Sequence, residues 1–123
     1  MAKQRNIGRF GERVAYVYLK NNGYTLVDFN IYGSHGEVDL VVIKNEVLVC
    51  IEVKTTTTTY NKHPETAVNS KKIKLITAAF NKNTAYFWSK VCFSSVRFDV
   101  VAVIIDTKAK KAHIHHYKDL LLQ

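Results

Sequence analysis

Three short apolar runs, Leu40–Ile43, Val47–Ile51 and Val100–Ile105, constrain this chain more than any other feature. A buried helix needs about ten residues of periodic pattern and a membrane span about twenty, so runs of this length read as strands. They are rich in valine and isoleucine, which suits strands covered on both faces. With 123 residues the chain has room for a single domain, residues 1–123, built on that one sheet.

Around these strands the pattern supplies helices. Phe10, Val14, Val17 and Tyr18 recur at helical spacing from Gly8 to Asn22, and Gly23 gives a stop signal. Tyr24–Tyr32 alternates as a strand that turns at Gly33–Gly36; Glu37–Ile43 and Val47–Val53 then complete an antiparallel meander through a tight connection at Lys44–Glu46. Thr55–Pro64 has no period and reads as an exposed loop. A second helix, capped by Ser70, carries Ile73, Ile76, Ala79 and Phe80 on one side and Lys71, Lys72 and Lys74 on the other. Thr84–Ser95 fits helix or strand equally. Val96–Ile105 and Ala112–Tyr117 are the last two strands. The expectation is an α/β fold with a mixed central sheet of about five strands flanked by helices.

Charge intrudes on this apolar plan at two places. Asp39 lies between Val38 and Leu40, and Glu52 and Lys54 interrupt the end of the Val47–Ile51 run. Burying a charge without a partner costs several kcal/mol, so each needs a partner or an ion. Strand alternation puts Glu52 and Lys54 on one face, and a neighbouring strand can bring Asp39 beside them. Two carboxylates so placed repel unless a cation lies between them. Mg²⁺ or Mn²⁺ suits such a pair, because a hard cation takes one or two carboxylates and keeps waters for chemistry.

The overall charge names a partner class. Lys and Arg exceed Asp and Glu by eighteen to ten, a formal net charge of +8, which attracts polyanions and puts nucleic acid first. No apolar run is long enough for a membrane anchor and no secretory pattern opens the chain, so a cytoplasmic protein without a membrane partner is expected. Cys50 and Cys92 form no CxxC pair and read as buried free thiols. His113, His115 and His116 lack a neighbouring thiolate or fourth ligand and make a weak zinc pattern.

Gly8-Arg-Phe-Gly-Glu12, Gly36-Glu-Val-Asp-Leu40, Ile51-Glu-Val-Lys54, the Lys71-Lys72 pair and Arg97-Phe-Asp-Val100 follow one another in this order. Together they resemble the YraN-like family of uncharacterised bacterial proteins, assigned to the PD-(D/E)XK restriction-endonuclease-like superfamily and similar in core to archaeal Holliday junction resolvases. The resemblance implies a restriction-endonuclease-like core. It also implies Asp39 and Glu52 as metal ligands, Lys54 as the catalytic lysine that orients the attacking water, and Glu12 as the group that completes the site. Glu12 also reads as a first-turn glutamate favoured by the helix dipole. Glu37 shares strand parity with Asp39 and ranks behind Glu12.

Tyr32 and Thr56 stand where the family often has arginine, which removes two phosphate contacts. Thr55 and Thr56, with Lys71, Lys72 and Lys74, are the candidate nucleic-acid contacts. The resemblance further implies phosphodiester hydrolysis on DNA ahead of RNA, and leaves open a branched or a linear substrate and a monomer or a homodimer. The competing reading is a nucleic-acid-binding or assembly module that keeps the fold without cleaving.

Overall fold

In the computed structural model of the protein, residues 2–33, 36–57, 74, 77–78 and 80–120 are described. The elements are α1 (Ala2–Asn21), β1 (Thr25–Gly33), β2 (Gly36–Lys44), β3 (Val47–Thr57), α2 (Thr84–Lys90), β4 (Ser95–Asp106) and β5 (Lys111–Tyr117). Helical residues also occur at Lys74, Thr77–Ala78 and Phe80–Lys82; Ser70, Lys71 and Lys72 lie outside the described residues. The strands form one five-stranded sheet in sequence order. All pairs are antiparallel except β3 with β4, which run parallel. The expected mixed α/β sheet is therefore present. Its one parallel pair requires the long crossover between Thr57 and Ser95, since parallel neighbours cannot be joined by a tight turn.

Local chemistry sets the joints. Gly23 has φ +89°, which a glycine adopts without strain. Around it Tyr24 N–H bonds the Leu19 carbonyl at 3.0 Å and Gly23 N–H the Lys20 carbonyl at 3.2 Å, the paired bonds of a Schellman C-cap. Asn45 and Glu46 have φ of 52° and 63°, so β2 and β3 are joined by a two-residue turn with both residues left-handed, whose twist matches the strands. At the β4–β5 turn Asp106 Oδ1 accepts the N–H groups of Lys108 at 3.1 Å and Ala109 at 3.0 Å.

Alternation along β3 divides the core. Val49, Ile51 and Val53 join Ala15 and Leu19 of α1, Leu40 and Val42 of β2, and Val101 and Val103 of β4 in one buried cluster. Leu48 and Cys50 point the other way and join Phe80, Phe87 and Phe93. The Phe80 and Phe87 rings stack at 5.3 Å. Helices thus cover both faces of the central strands.

The structure departs from the sequence reading at three points and decides a fourth that the sequence left open. Helix α1 begins at Ala2, so Glu12 lies in its middle and the first-turn reading of that residue falls. Strand β3 runs on through Lys54 and Thr55–Thr57 where a loop was expected, because these residues pair with Ala102–Ile105 of β4. The ambiguous Thr84–Ser95 segment is helix to Lys90 and strand from Ser95. Cys50 is buried, with its thiol pushed up to about 12 by burial and then by Asp99, but Cys92 is exposed.

Gly11 is the position that lets α1 lie close against β3. A Cβ there would fall 2.8 Å from Thr55 Cβ and 2.9 Å from its Cγ2, closer than packed atoms tolerate. Thr55 is β-branched and cannot turn aside cheaply. On propensity alone Gly11→Ala would stabilise a helix interior by roughly 1 kcal/mol. The close approach reverses the sign, and thermal denaturation should show Gly11→Ala less stable than wild type by about 1–3 kcal/mol. A raised melting temperature would mean that α1 has room to spare.

Candidate active site

The site begins where two strands part. Every β2–β3 pair has the same register, from Lys44↔Val47 to Leu40↔Ile51, and the ladder ends there. One further step would place Asp39 directly opposite Glu52, an arrangement that like charges disfavour. Instead Asp39 Oδ2 accepts the Val53 N–H at 2.8 Å, so a side chain replaces a strand partner. Beyond Ile51, β3 continues with β4 from Glu52↔Val100 to Thr57↔Ile105.

The parting opens a cleft of about 570 Å³ whose wall includes Glu12, Asp39, Glu52, Lys54, Thr55 and Thr56. Asp39 and Glu52 are 6% and 5% exposed, so both carboxylates sit in the low-dielectric rim of the sheet. Lys54 Nζ stands 3.5 Å from Glu52 Oε1 and keeps about a quarter of its side chain in solvent. Strand alternation accounts for that pairing, since residues two apart share a face. Glu12 reaches the cleft from α1 and is half-buried.

All four expected centre residues, from three different elements, therefore border one cavity, and the two candidate threonines border it with them. Lys74 is exposed and does not line this cleft. The Tyr32 and Glu37 side chains, like Lys71 and Lys72, lie outside the described residues. Among the described residues no three His, Cys, Asp or Glu side chains form a ready-made metal cage. The donors present are carboxylate oxygens, which suit a hard cation that completes its shell with waters and phosphate oxygens.

A second polar cluster lies beneath α1, and sequence reasoning saw only part of it. Asp99 is buried on β4 beside Ile51. Arg97 donates to it twice, from Nε to Oδ1 and from Nη2 to Oδ2, each at 2.9 Å. His116 Nε2 lies 2.7 Å from Oδ2, and Asp119 N–H donates to Oδ1 at 2.9 Å. The chain of contacts extends outward: Arg97 Nη2 donates to the Tyr24 hydroxyl at 2.8 Å, and Tyr18 O–H meets His116 Nδ1 at 3.0 Å. With its proton on Nε2, His116 donates to the carboxylate and accepts the tyrosine hydroxyl. The network ties α1, β4, β5 and the segment after β5 together.

Arg97 and Asp99, both of the Arg97-Phe-Asp-Val100 motif, pair two residues apart on β4. His116 was not placed with them; the available signal was its alternation, which turns it away from exposed His113 and His115. Burial alone would raise the Asp99 pKa, but hydrogen bonds from His116, Arg97 and the Asp119 N–H bring it below the usual carboxylate value. The Arg97 guanidinium is shifted upward in turn, chiefly by its hydrogen bonds to Asp99.

Comparison with known proteins places the molecule. The model of the uncharacterised protein family UPF0102 matches residues 11–103. The chain belongs to this family. A UPF0102 protein of Parabacteroides distasonis is 38% identical over 104 residues, covering 85% of this chain and 84% of its own. One from Syntrophomonas wolfei is 37% identical over 114 residues, 89% of this chain and 95% of its own. Another, from Flavobacterium psychrophilum, is 32% identical over 119 residues, 97% and 96% respectively. The UPF0102 match runs from Gly11 through the carboxylates and Lys54 to the end of the central β4 core. None of the UPF0102 helices described here is long and apolar enough to cross a membrane.

The Asp99 network predicts a pH response. A carboxylate with a depressed folded pKa contributes stability that is complete above its unfolded pKa and is lost as pH falls through the folded one. Asp99→Asn should cost about 3 kcal/mol near neutrality, because Arg97 is left without its counter-charge. It should also flatten the loss of melting temperature below about pH 4. Parallel acid melting curves for wild type and variant would contradict this account.

Proposed function

We propose that the chain is a divalent-metal-dependent nuclease, with DNA ahead of RNA as substrate, whose catalytic centre is Asp39, Glu52, Lys54 and Glu12. The reading rests on one observation: three carboxylates and an ammonium from α1, β2 and β3 border a single cleft at the point where the sheet opens. A chain of net charge +8 draws a phosphodiester backbone toward such a cleft. The implied PD-(D/E)XK core is compatible with the mixed sheet.

Asp39 and Glu52, with Glu12, would hold Mg²⁺ or Mn²⁺, which when bound supplies Lewis-acid polarisation of the phosphoryl oxygens and a more acidic water. Asp39 keeps its carboxylate fixed through the Val53 N–H, so it needs no reorganisation as substrate arrives. The Lys54 ammonium, steered by Glu52, faces the cleft as a donor that can orient a water for in-line attack or stabilise charge developing on phosphorus. The phosphorus–oxygen bond to the leaving nucleotide then breaks. Thr55 and Thr56 offer hydroxyls to neighbouring phosphates. Symmetric cutting of a branched substrate would need two clefts and hence a homodimer.

The test incubates wild type with labelled duplex, single-stranded, flap and four-way-junction DNA in Mg²⁺, Mn²⁺ or EDTA. Cleavage is expected only with metal. Lys54→Ala should lower the rate by about 10²–10³-fold, the scale for removing one positioned donor. Asp39→Asn, which can still accept the Val53 N–H, should abolish cutting and retain binding. Binding without cutting on every substrate would leave a non-catalytic nucleic-acid module in place of the enzyme.

A further inference from the structure

The longest stretch without acidic residues lies in the crossover. From Thr66 to Phe98 the sequence contains Lys71, Lys72, Lys74, Lys82, Lys90 and Arg97 and not one Asp or Glu. Trp88, the only tryptophan of the chain, falls inside this basic stretch on α2. It is 55% exposed, an unusual position for the largest apolar side chain. Its exposure is not looseness. The indole stacks on Phe93 with ring centroids 4.1 Å apart and planes 18° from parallel, and Phe93 is buried in the core. One face of the indole is held down on the protein and the ring stays flat at the surface.

On the same short helix Phe87 is the buried anchor, and Tyr86 is exposed with Lys90 Nζ 4.8 Å above its ring. Tyr86 also bonds Asp28 on β1, which fixes the helix from its other side. The result is a rigid aromatic surface on a stretch of sequence without acidic residues, bordered by Asp28 of β1, which also pairs with Lys90 at 3.8 Å. A flat, pre-held ring loses little conformational entropy when another ring stacks on it, and a stretch of sequence that is basic and free of carboxylates favours a partner that carries negative charge with its rings. Those two requirements together describe an unpaired stretch of nucleic acid.

We infer that Trp88 is a stacking platform for an unpaired nucleobase of the substrate. This inference rests on the proposed action on nucleic acid and narrows it to substrates with a single-stranded part. The platform is remote from the cleft. The segment after Phe93 is pinned to the β2–β3 turn by Ser94 N–H on the Glu46 carbonyl at 2.8 Å, at the opposite end of β3 from Lys54. Seven strand residues at about 3.3 Å each separate Val47 from Lys54, roughly 23 Å. At about 3.4 Å per nucleotide of stacked strand, the two places are about seven nucleotides apart.

Because Trp88 is the sole tryptophan, its fluorescence reports this contact directly. The full chain in EDTA and low salt is titrated with oligothymidylates of increasing length while tryptophan emission and the anisotropy of end-labelled oligonucleotide are followed together. Stacking should quench the emission in a saturable way that tracks the anisotropy change. Trp88→Ala should weaken binding about 5- to 100-fold, the range that stacking of one base spans, whereas Trp88→Phe should retain most of the affinity. Oligonucleotide binding with unchanged emission, or equal affinity in Trp88→Ala, overturns the platform.

Wild-type quenching and the Trp88→Phe variant decide the matter even if loss of the Phe93 stack prevents Trp88→Ala from folding. Absence of binding to any oligonucleotide also overturns it. Metal-dependent cleavage of duplex without quenching would leave the nuclease reading standing and remove the platform. Quenching without cleavage on any substrate would do the reverse.

Discussion

The hydrogen bond from the Val53 N–H to Asp39 Oδ2 is the contact on which the arrangement of this molecule depends. Two antiparallel strands that kept their register for one more step would set two carboxylates against each other in a half-buried sheet. The chain avoids that cost by ending the ladder at Leu40↔Ile51 and using one of the offending side chains as the substitute partner for the next backbone donor. The same contact therefore satisfies a buried N–H, immobilises a carboxylate and opens the cleft. Strand β3 can leave β2 without unravelling because its other edge remains paired with β4 as far as Thr57.

That support is itself held by charge. Asp99 sits beside Ile51, the last residue of β3 that pairs with β2, and it gathers Arg97, His116 and the Asp119 N–H around it. A buried carboxylate with this many donors is costly to disturb, since removing any one member strands the others in a medium of low dielectric. The three buried carboxylates thus divide their roles by surroundings. Asp99 is enclosed by donors and serves the frame, whereas Asp39 and Glu52 look onto a cavity that can admit solvent and substrate.

Much of this was legible in the sequence because the signals were local. The Val47–Ile51 and Val100–Ile105 runs could only be strands, Gly23 could only end a helix cheaply, and charge within apolar runs marked Asp39, Glu52 and Lys54. What escaped were features decided by distant partners. Thr55–Thr57 carry too little hydrophobicity to announce a strand, yet their β-branched side chains suit one once β4 lies alongside. The first residues of α1 show no apolar period, so Ala2 as its start was invisible. His116 lies seventeen residues from Asp99 and joins it only because β5 folds back on β4. Phe87 alone anchors the short α2 in the core, too little for a period to reveal.

The parallel pairing of β3 with β4 has a consequence for how the molecule assembles. The meander of β1, β2 and β3 uses contacts close in sequence, including a two-residue turn, and such contacts form early because little loop entropy is lost in making them. Val47 must find Ser95 across the whole crossover before β3 acquires its second edge. Until it does, the stretch from Glu52 to Thr57 has no strand ladder on either edge and only the Asp39 contact with β2 to hold it. The cleft is accordingly the last region to take shape during folding, and a chain caught before that step would present a finished hairpin and an incomplete site.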